Sequence, residues 1–583
     1  MLHYLHHLLH PLRVLWTERI ALFWPFWIAT MAIGVVAVIW AVPQRSSASL
    51  GSIPSQRRLW TGSAILAMAF LILFLACYIA GCLVWEDFTY YDNSHFTNGT
   101  LVGHNVALQI LPKMGRFWPL GHQEFNLLRH ITRSVAGYHG FRIAQLLLVC
   151  GVLLVLDDEL DITARVPLIT LALITPSILI SFSGLIYAEA NVLVWLVLLA
   201  WSVKRFEQTQ SVAWAVAAAV SAQFMLYYKE TCFLLVLGFA VGRLLLRCRK
   251  QAGWDFSRLR DPASRLDICL ALLVMPFFLY YLAVMFPHYN TSYVDEFRLP
   301  LAQVLTSYVK LDLLVWVLVA VVIARIVLIL RRRVEPSPLW DGLALAGICF
   351  LIGYIILRMY GGYYLAPVDL IAVLYLGRLA VLSVKDMGLG TRLCALTLLI
   401  LVVMQDLSLS AFRMYERKNV IHAKAEIGRM IQARYESDPE NVKRLFFPYA
   451  KPFVVMEFAS YLNYLGVRVE QTPTPSLAAS GVMLVGRALQ ENGPCGYRPF
   501  VCHAASKPDP GDLVVLLPDD STQGDEWSAY LQQSTAVLIS YHARPSIPRS
   551  LLPYVNHLRV ISTEFSQDQL PDHWLDAAVI VWM

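Results

Sequence analysis

The feature that most constrains this chain is a series of long apolar runs separated by short polar loops. Covering a bilayer takes roughly 20 consecutive apolar residues as a helix, because lipid offers no partner for open backbone groups. Runs of this kind lie near 21–42, 61–84, 142–157, 166–186, 190–203, 211–228, 231–247, 266–286, 306–330, 340–357, 367–384 and 392–409. That is about twelve candidate spans, of which the third and fifth are short. Of the 583 residues, 57% are hydrophobic and 15% are charged, whereas soluble domains carry about 25% charged residues. The expected fold is therefore an α-helical polytopic membrane domain of about twelve helices, followed by a small C-terminal α/β soluble domain.

The charges set the orientation. Basic residues concentrate in alternate loops: Arg45, Arg57 and Arg58; Arg165; Lys204 and Arg205; the dense group from Arg247 to Arg265; Arg331, Arg332 and Arg333; and Lys385 with Arg392. The positive-inside rule makes these loops cytoplasmic. The acidic loop Asp157-Asp158-Glu159, with its single Arg165, is the weakest of them. Loops 85–141, 187–189, 229–230, 287–305 and 358–366, and the whole tail after about residue 410, then face outward. On this count the N-terminus is outside too, unless the first run is a re-entrant or interfacial helix. The net charge of +6 reflects these loops and gives no sign of nucleic-acid binding. The expected location is a bacterial inner (plasma) membrane, multi-pass, with an extracytoplasmic tail.

Other signals are weaker. His3, His6, His7 and His10 are compatible with a metal-binding tract, but an interfacial amphipathic segment explains residues 1–19 better. No cleavable signal peptide is evident. Eight of the ten cysteines lie in or beside apolar runs. The other two, Cys495 and Cys502, could pair if the tail is oxidised. In loop 85–141, the stretches Val106 to Leu111 and Phe125 to Ile131 are amphipathic and suggest short helices along the membrane surface.

The outward side collects carboxylates, which are costly at a membrane edge and tend to be functional there. Glu86, Asp87 and Asp92 follow the second run, Glu189 sits at the outer end of the fourth, and Lys229-Glu230 form an outer turn. Each alone could be a solvated helix end. Together on one face they suggest a cleft with a general base and cation-binding groups.

Trp85-Glu86-Asp87-Phe88-Thr89-Tyr90-Tyr91-Asp92-Asn93 resembles the start of the first outer loop of GT-C glycosyltransferases, polytopic enzymes that take a sugar from a polyprenyl-phosphate donor. Gly115-Arg116-Phe117-Trp118-Pro119-Leu120 resembles a stretch near the end of that loop. Glu189 stands where the family commonly has a second acid, and Lys229-Glu230 resembles a recurrent Lys-Glu pair. Arg358-Met359-Tyr360, with Tyr363, Tyr364 and Pro367, resembles a late outer loop. The resemblance spans roughly residues 60–410, after an additional N-terminal span that the simplest family layout lacks.

This resemblance implies an inverting hexosyl- or pentosyltransferase with Asp87 as general base and Glu86 as its close rival. Arg358 is the first candidate for the lipid phosphate, followed by Arg116, Lys229 and His288. Glu189, Glu230 and Tyr360 complete the expected substrate site. Some GT-C enzymes use a divalent cation and others do not; Glu86, Asp87 and Glu189 could ligate one through oxygen. The implied partners are a polyprenyl-phosphate-linked sugar, membrane lipid, and a glycan, lipid or protein acceptor of the cell envelope. The alternatives are a transporter or flippase, an O-antigen ligase or polymerase, or a sensor with a ligand-binding tail.

The expected domains are 1–60, an interfacial segment and first span; 61–410, the catalytic membrane domain; and 411–583, an extracytoplasmic α/β domain. In the tail, Arg413 to Tyr435 reads as a charged helix and 451–465 as a second one. Short β-branched runs at 444–447, 482–485, 513–517, 536–539 and 578–581 read as strands. The tail shows no phosphate loop or nucleotide fingerprint. Asp519-Asp520 with His503 suggests a metal less well than a solvated turn.

Overall fold

The computed structural model describes residues 23–42, 62–82, 88, 94–111, 116–250, 253–285, 299–383, 410, 414, 417–439, 442–471, 481–489, 493–494, 500–517, 529–541 and 577–583. The membrane bundle contains α1 (Phe23–Ala41), α2 (Gly62–Cys82), a short α3 (Gln123–Leu128) and α4 (Val135–Leu156). These are followed by α5 (Ile162–Ile174), α6 (Pro176–Ser183), α7 (Ala188–Thr209), α8 (Val212–Tyr228), α9 (Cys232–Cys248) and α10 (Pro262–Val284). Then come α11 (Leu301–Leu311), α12 (Leu313–Leu330), α13 (Pro338–Leu357) and α14 (Ala366–Ser383). Within the described residues the expected runs are helical, but 306–330 is broken at Asp312 (φ −149°, ψ 66°) into α11 and α12, and 392–409 lies outside the described residues. Among the described residues, six helices are long and apolar enough to cross a membrane by themselves, or seven with the bent pair α5–α6.

That bent pair corrects the expectation of one span over 166–186. α5 and α6 meet at 72°. Pro176 has no N–H to donate, and it biases the residue before it away from the helical region. Thr175 is accordingly extended (φ −63°, ψ 138°), and its hydroxyl donates to Ala172 O at 2.7 Å. Elsewhere small residues let helices approach closely. A Cβ on Gly238 of α9 would stand 3.1 Å from the Cα of Ala346 on α13.

The basic end of the bundle is held by ion pairs between helices. Arg243, fully buried on α9, pairs with Glu207 and, at 3.1 Å, with Asp267. Arg325 pairs with Asp341 at 2.6 Å. Arg378 of α14 binds Asp157 at 2.8 Å and Glu159 at 2.6 Å, while Lys204 pairs with Asp158. The acidic loop 157–159 is thus neutralised by cations from other helices at its own end.

The loop between α2 and α4 is less helical than expected. Residues 94–101 form a π-turn and one helical turn, and β1 (Ile110–Leu111) pairs antiparallel with β2 (Arg116–Phe117). Val106 to Leu111 is not a helix. The Asn126 side chain brackets the Val106 peptide, accepting from its N–H (2.9 Å) and donating to its carbonyl (2.8 Å), which holds the segment extended. A further two-residue hairpin, β3 (Arg249–Lys250) and β4 (Gly253–Trp254), follows α9.

The C-terminal domain starts with α15 (417–437). Its elements then run β5 (Arg444–Phe447), α16 (Pro452–Tyr464), β6 (Met483–Gly486), β7 (Gly493–Pro494), β8 (Val501–Ala504), β9 (Leu513–Leu516), β10 (Ser534–Tyr541) and β11 (Ala577–Trp582). The sheet order is β10-β11-β9-β5-β6-β8-β7. Strands β9, β5, β6 and β8 pair in parallel, and the two edges are antiparallel. The alternation of a strand puts Leu445 and Phe447 in one core and Phe446 in the other. All five expected strands and both helices are present. Cys502 is disulfide-bonded; Cys495, its expected partner, lies outside the described residues, as do Asp519 and Asp520. His503 pairs with Glu470 at 2.8 Å.

Among the described residues, this domain meets the end of the bundle opposite the ion pairs through α16 packed on residues 94–101, through Phe88 and through Arg417. Phe88, which follows α2, is 1% exposed inside the domain's core. Its ring meets Tyr461 edge-on at 5.2 Å and lies 6.5 Å from Phe458. Arg417, at the start of α15, hydrogen-bonds to the α6–α7 junction.

Candidate functional site

α7 and α8 run antiparallel as neighbours, so the start of one lies beside the end of the other. An acid is favoured at a helix N-terminus and a cation at a C-terminus. The sequence supplies both: Glu189 lies in the first turn of α7 and Lys229 caps α8. Their side chains form an ion pair, 2% and 9% exposed.

Tyrosines surround this pair. The Lys229 ammonium is 4.5 Å from the ring centre of Tyr364, and 5.7 Å from those of Tyr354 and Tyr363. Tyr354 stacks on Tyr364 at 5.0 Å and hydrogen-bonds Thr231 at 3.2 Å. Tyr187 packs on Tyr363 at 4.5 Å. Aromatic faces attract a desolvated cation, so the box supports Lys229 while keeping water from it. Burial pulls the Lys229 ammonium down to about 7, with Glu230 pushing it back up.

A second pair lies alongside. Arg116 binds Glu230 at 3.0 Å, with its guanidinium 5.1 Å over Trp118. Leu120 donates its N–H to Tyr227 O at 3.0 Å, and Phe117 is fully buried beside Tyr227, Phe277 and Tyr280. These contacts seat the 116–120 segment against the turn that carries Lys229 and Glu230. Glu230 Oε2 is out of solvent and has no hydrogen-bond partner among the described residues. A buried polar atom left open costs stability, and it suits a ligand hydroxyl.

The structure thus brings together Arg116, Glu189, Lys229 and Glu230, with Tyr363 and Tyr364. Arg358 and Tyr360 lie on the same loop as those tyrosines, outside this cluster of ion pairs. Arg358 takes a left-handed conformation (φ 55°) to end α13, and its carbonyl accepts from Leu299 N at 3.0 Å; its side chain is exposed. Tyr360 packs edge-on against Tyr308 at 5.0 Å. Glu86, Asp87 and His288 lie outside the described residues. Among the described residues no group of three His, Cys, Asp or Glu gathers to hold a metal ion.

Sequence reasoning missed Tyr187, Tyr354 and a buried network beside the box. Arg142 of α4 donates to Gln145 Oε1 at 2.6 Å, and to Glu124 Oε1 and Asn191 Oδ1 at 3.4 Å each. Asn191 donates to Glu124 at 2.7 Å. The signal available was Arg142 itself, a charge at the edge of an apolar run.

No protein-family profile and no curated protein sequence matches the chain. Among solved structures it is similar to ArnT from Cupriavidus metallidurans bound to undecaprenyl phosphate: 12% identity, 89% of this chain and 98% of that chain covered, TM-score 0.43. For the same protein in the apo state the figures are 10%, 88%, 98% and 0.41.

Proposed function

We propose that the protein is an integral membrane glycosyltransferase that moves a sugar from a polyprenyl-phosphate donor to a cell-envelope glycan, lipid or protein acceptor. The reaction takes place at the membrane face that carries the C-terminal domain. The observation that carries this reading is the pair of cations, Lys229 and Arg116, each matched to a carboxylate and packed against aromatic rings at one end of an apolar bundle. A donor of this class has an apolar tail that lies in the bilayer and a phosphate at its edge. Lys229, with Arg116 beside it, stabilises the negative charge that grows on that phosphate as it leaves. Asp87, or Glu86 next to it, takes the proton of the acceptor hydroxyl. The acceptor oxygen bonds to the anomeric carbon as the bond from that carbon to the phosphate oxygen breaks, inverting the centre. Glu230 Oε2 accepts from a sugar hydroxyl.

The test supplies purified protein in liposomes with polyprenyl-phosphate sugars and compares wild type with Asp87→Asn and Glu86→Gln. Loss of a general base slows transfer by about 10²–10⁴-fold. Wild-type transfer by both variants would remove the catalytic assignment. A second reading, a lipid flippase, is favoured by the α5–α6 break, since broken helices mark many transporter sites. It predicts movement of the donor between leaflets without any transfer of sugar.

A further inference from the structure

The start of the C-terminal domain reaches into the wall of this site. Arg417 is 5% exposed. Its guanidinium donates to Ser183 Oγ at 2.7 Å, to Ile180 O at 3.3 Å and to the Tyr187 hydroxyl at 3.0 Å. Ser183 and Ile180 belong to the last turn of α6, where a cation is favoured; the Ile180 carbonyl also accepts from Gly184 N at 3.2 Å and from the Ser183 hydroxyl at 3.3 Å. The guanidinium carbon also lies 5.1 Å from the Tyr187 ring centre. The approach is close: a Cβ on Gly184 would stand 2.7 Å from Arg417 Nη2 and 2.5 Å from the Tyr187 ring. Gly184 is thus what lets both side chains occupy the α6–α7 junction.

Tyr187 is where this contact meets the chemistry. It precedes α7, two residues before Glu189. Its ring packs on Tyr363, which in turn faces the Lys229 ammonium. A contiguous path of hydrogen bond and ring contacts therefore runs from Arg417 through Tyr187 and Tyr363 to Lys229. Its two ends are far apart in the chain and belong to different folding units. A staple needed only for docking could bind the α6 carbonyls alone. Here the guanidinium spends one arm on a hydroxyl whose ring walls the cation box.

We propose that Arg417 is a positioning residue for the donor site, acting through Tyr187, so that the C-terminal domain is part of the machinery that shapes the tyrosine box. The inference rests on the glycosyltransferase reading above. It is tested by steady-state transfer kinetics and thermal unfolding of the full chain in liposomes, for wild type, Arg417→Gln, Arg417→Lys, Tyr187→Phe and Arg417→Gln/Tyr187→Phe.

Arg417→Gln is expected to raise the donor KM about tenfold with the acceptor KM unchanged. Arg417→Lys, which keeps the charge, recovers part of the loss. Tyr187→Phe removes one oxygen and keeps the ring, and it moves the donor KM in the same direction. The double variant is no worse than Arg417→Gln, because both changes break the same bond. A purely structural role would lower the unfolding temperature of Arg417→Gln and leave the donor KM of the folded protein at the wild-type value; that result, or losses that multiply in the double variant, overturns the proposal. Should Arg417→Gln not fold, an unchanged donor KM in Tyr187→Phe overturns it alone. A wild type that transfers no sugar sinks the glycosyltransferase reading itself, whereas an active wild type matched by its variants sinks only this inference.

Discussion

Lys229 has two possible duties, and a pair of substitutions separates them. It is the counter-ion of Glu189, with both side chains almost wholly out of water, and in the proposed mechanism it also holds the leaving phosphate. Lys229→Met leaves Glu189 buried without its partner, and removing one member of a buried pair costs about 3–5 kcal/mol. The single variant should therefore unfold at a lower temperature and also transfer slowly, which by itself decides nothing. In Lys229→Met/Glu189→Gln both charges are gone, so the uncompensated carboxylate is gone too, and most of the lost stability should return. The phosphate would still lack its cation. Removing one preorganised charge that meets growing negative charge lowers turnover by about 10²–10³-fold, and nothing in the double variant replaces it. The expected result is a protein that unfolds near the wild-type temperature and transfers sugar about 10²–10³-fold more slowly. Unfolding is followed by tryptophan fluorescence in detergent, and transfer by incorporation of labelled sugar at saturating donor. If the double variant regains both its unfolding temperature and its turnover, Lys229 is only a structural counter-ion and the assignment fails.

Two further perturbations follow. Burial brings the Lys229 ammonium down to about 7, so its charged form dominates below that pH and is lost above it. The kcat/KM for transfer should decline as pH rises through about 7, and Lys229→Arg, which stays protonated, should flatten that limb; a limb that persists in the Arg variant belongs to another group. Phe88→Ala empties a position 1% exposed in the C-terminal core, a change that costs about 3–5 kcal/mol. Limited proteolysis of proteoliposomes should then release the C-terminal domain faster while the far-UV signal of the bundle stays constant; release at the wild-type rate means the ring does not hold the domain down.

What could be read from the residues follows the physics of each element. The spans were legible because a bilayer demands apolarity over a fixed length. The same demand makes α5 and α6 look like one span: the apolar run continues through Thr175 and Pro176, and only the backbone chemistry of Pro176 shows the break. The strands of the tail were legible from their β-branched runs, but the parallel pairing of β5 with both β6 and β9 depends on partners distant in sequence. Val106 to Leu111 misled because its amphipathic spacing was real, while the Asn126 amide that holds it extended lies 20 residues on. In the site, the Lys229-Glu230 turn and the 116–120 segment could be matched to a family pattern. Tyr187 and Tyr354 could not, since a tyrosine near a helix end reads equally well as an interfacial belt.

The charged residues at the two ends of the bundle show why sidedness alone does not find a site. Both ends contain buried or half-buried pairs between helices. At the basic end Asp341 and Asp157 are saturated by the protein, while the buried Asp267 Oδ1 is held only through its ion pair with Arg243 at 3.1 Å. Asp341 takes Arg325 and Tyr375 on one oxygen, and Arg325 again with Ser337 N on the other. Asp157 has both oxygens bound to Arg378. At the tyrosine end Glu230 holds Arg116 through Oε1 alone and keeps Oε2 buried with no hydrogen-bond partner among the described residues. Saturated pairs fix helices against one another, and adding a ligand there would break bonds already made. An open carboxylate oxygen beside two cations gains from a ligand that brings a hydroxyl and a phosphate together. A sugar phosphate is such a ligand, which is why the proposed transfer is assigned to this end.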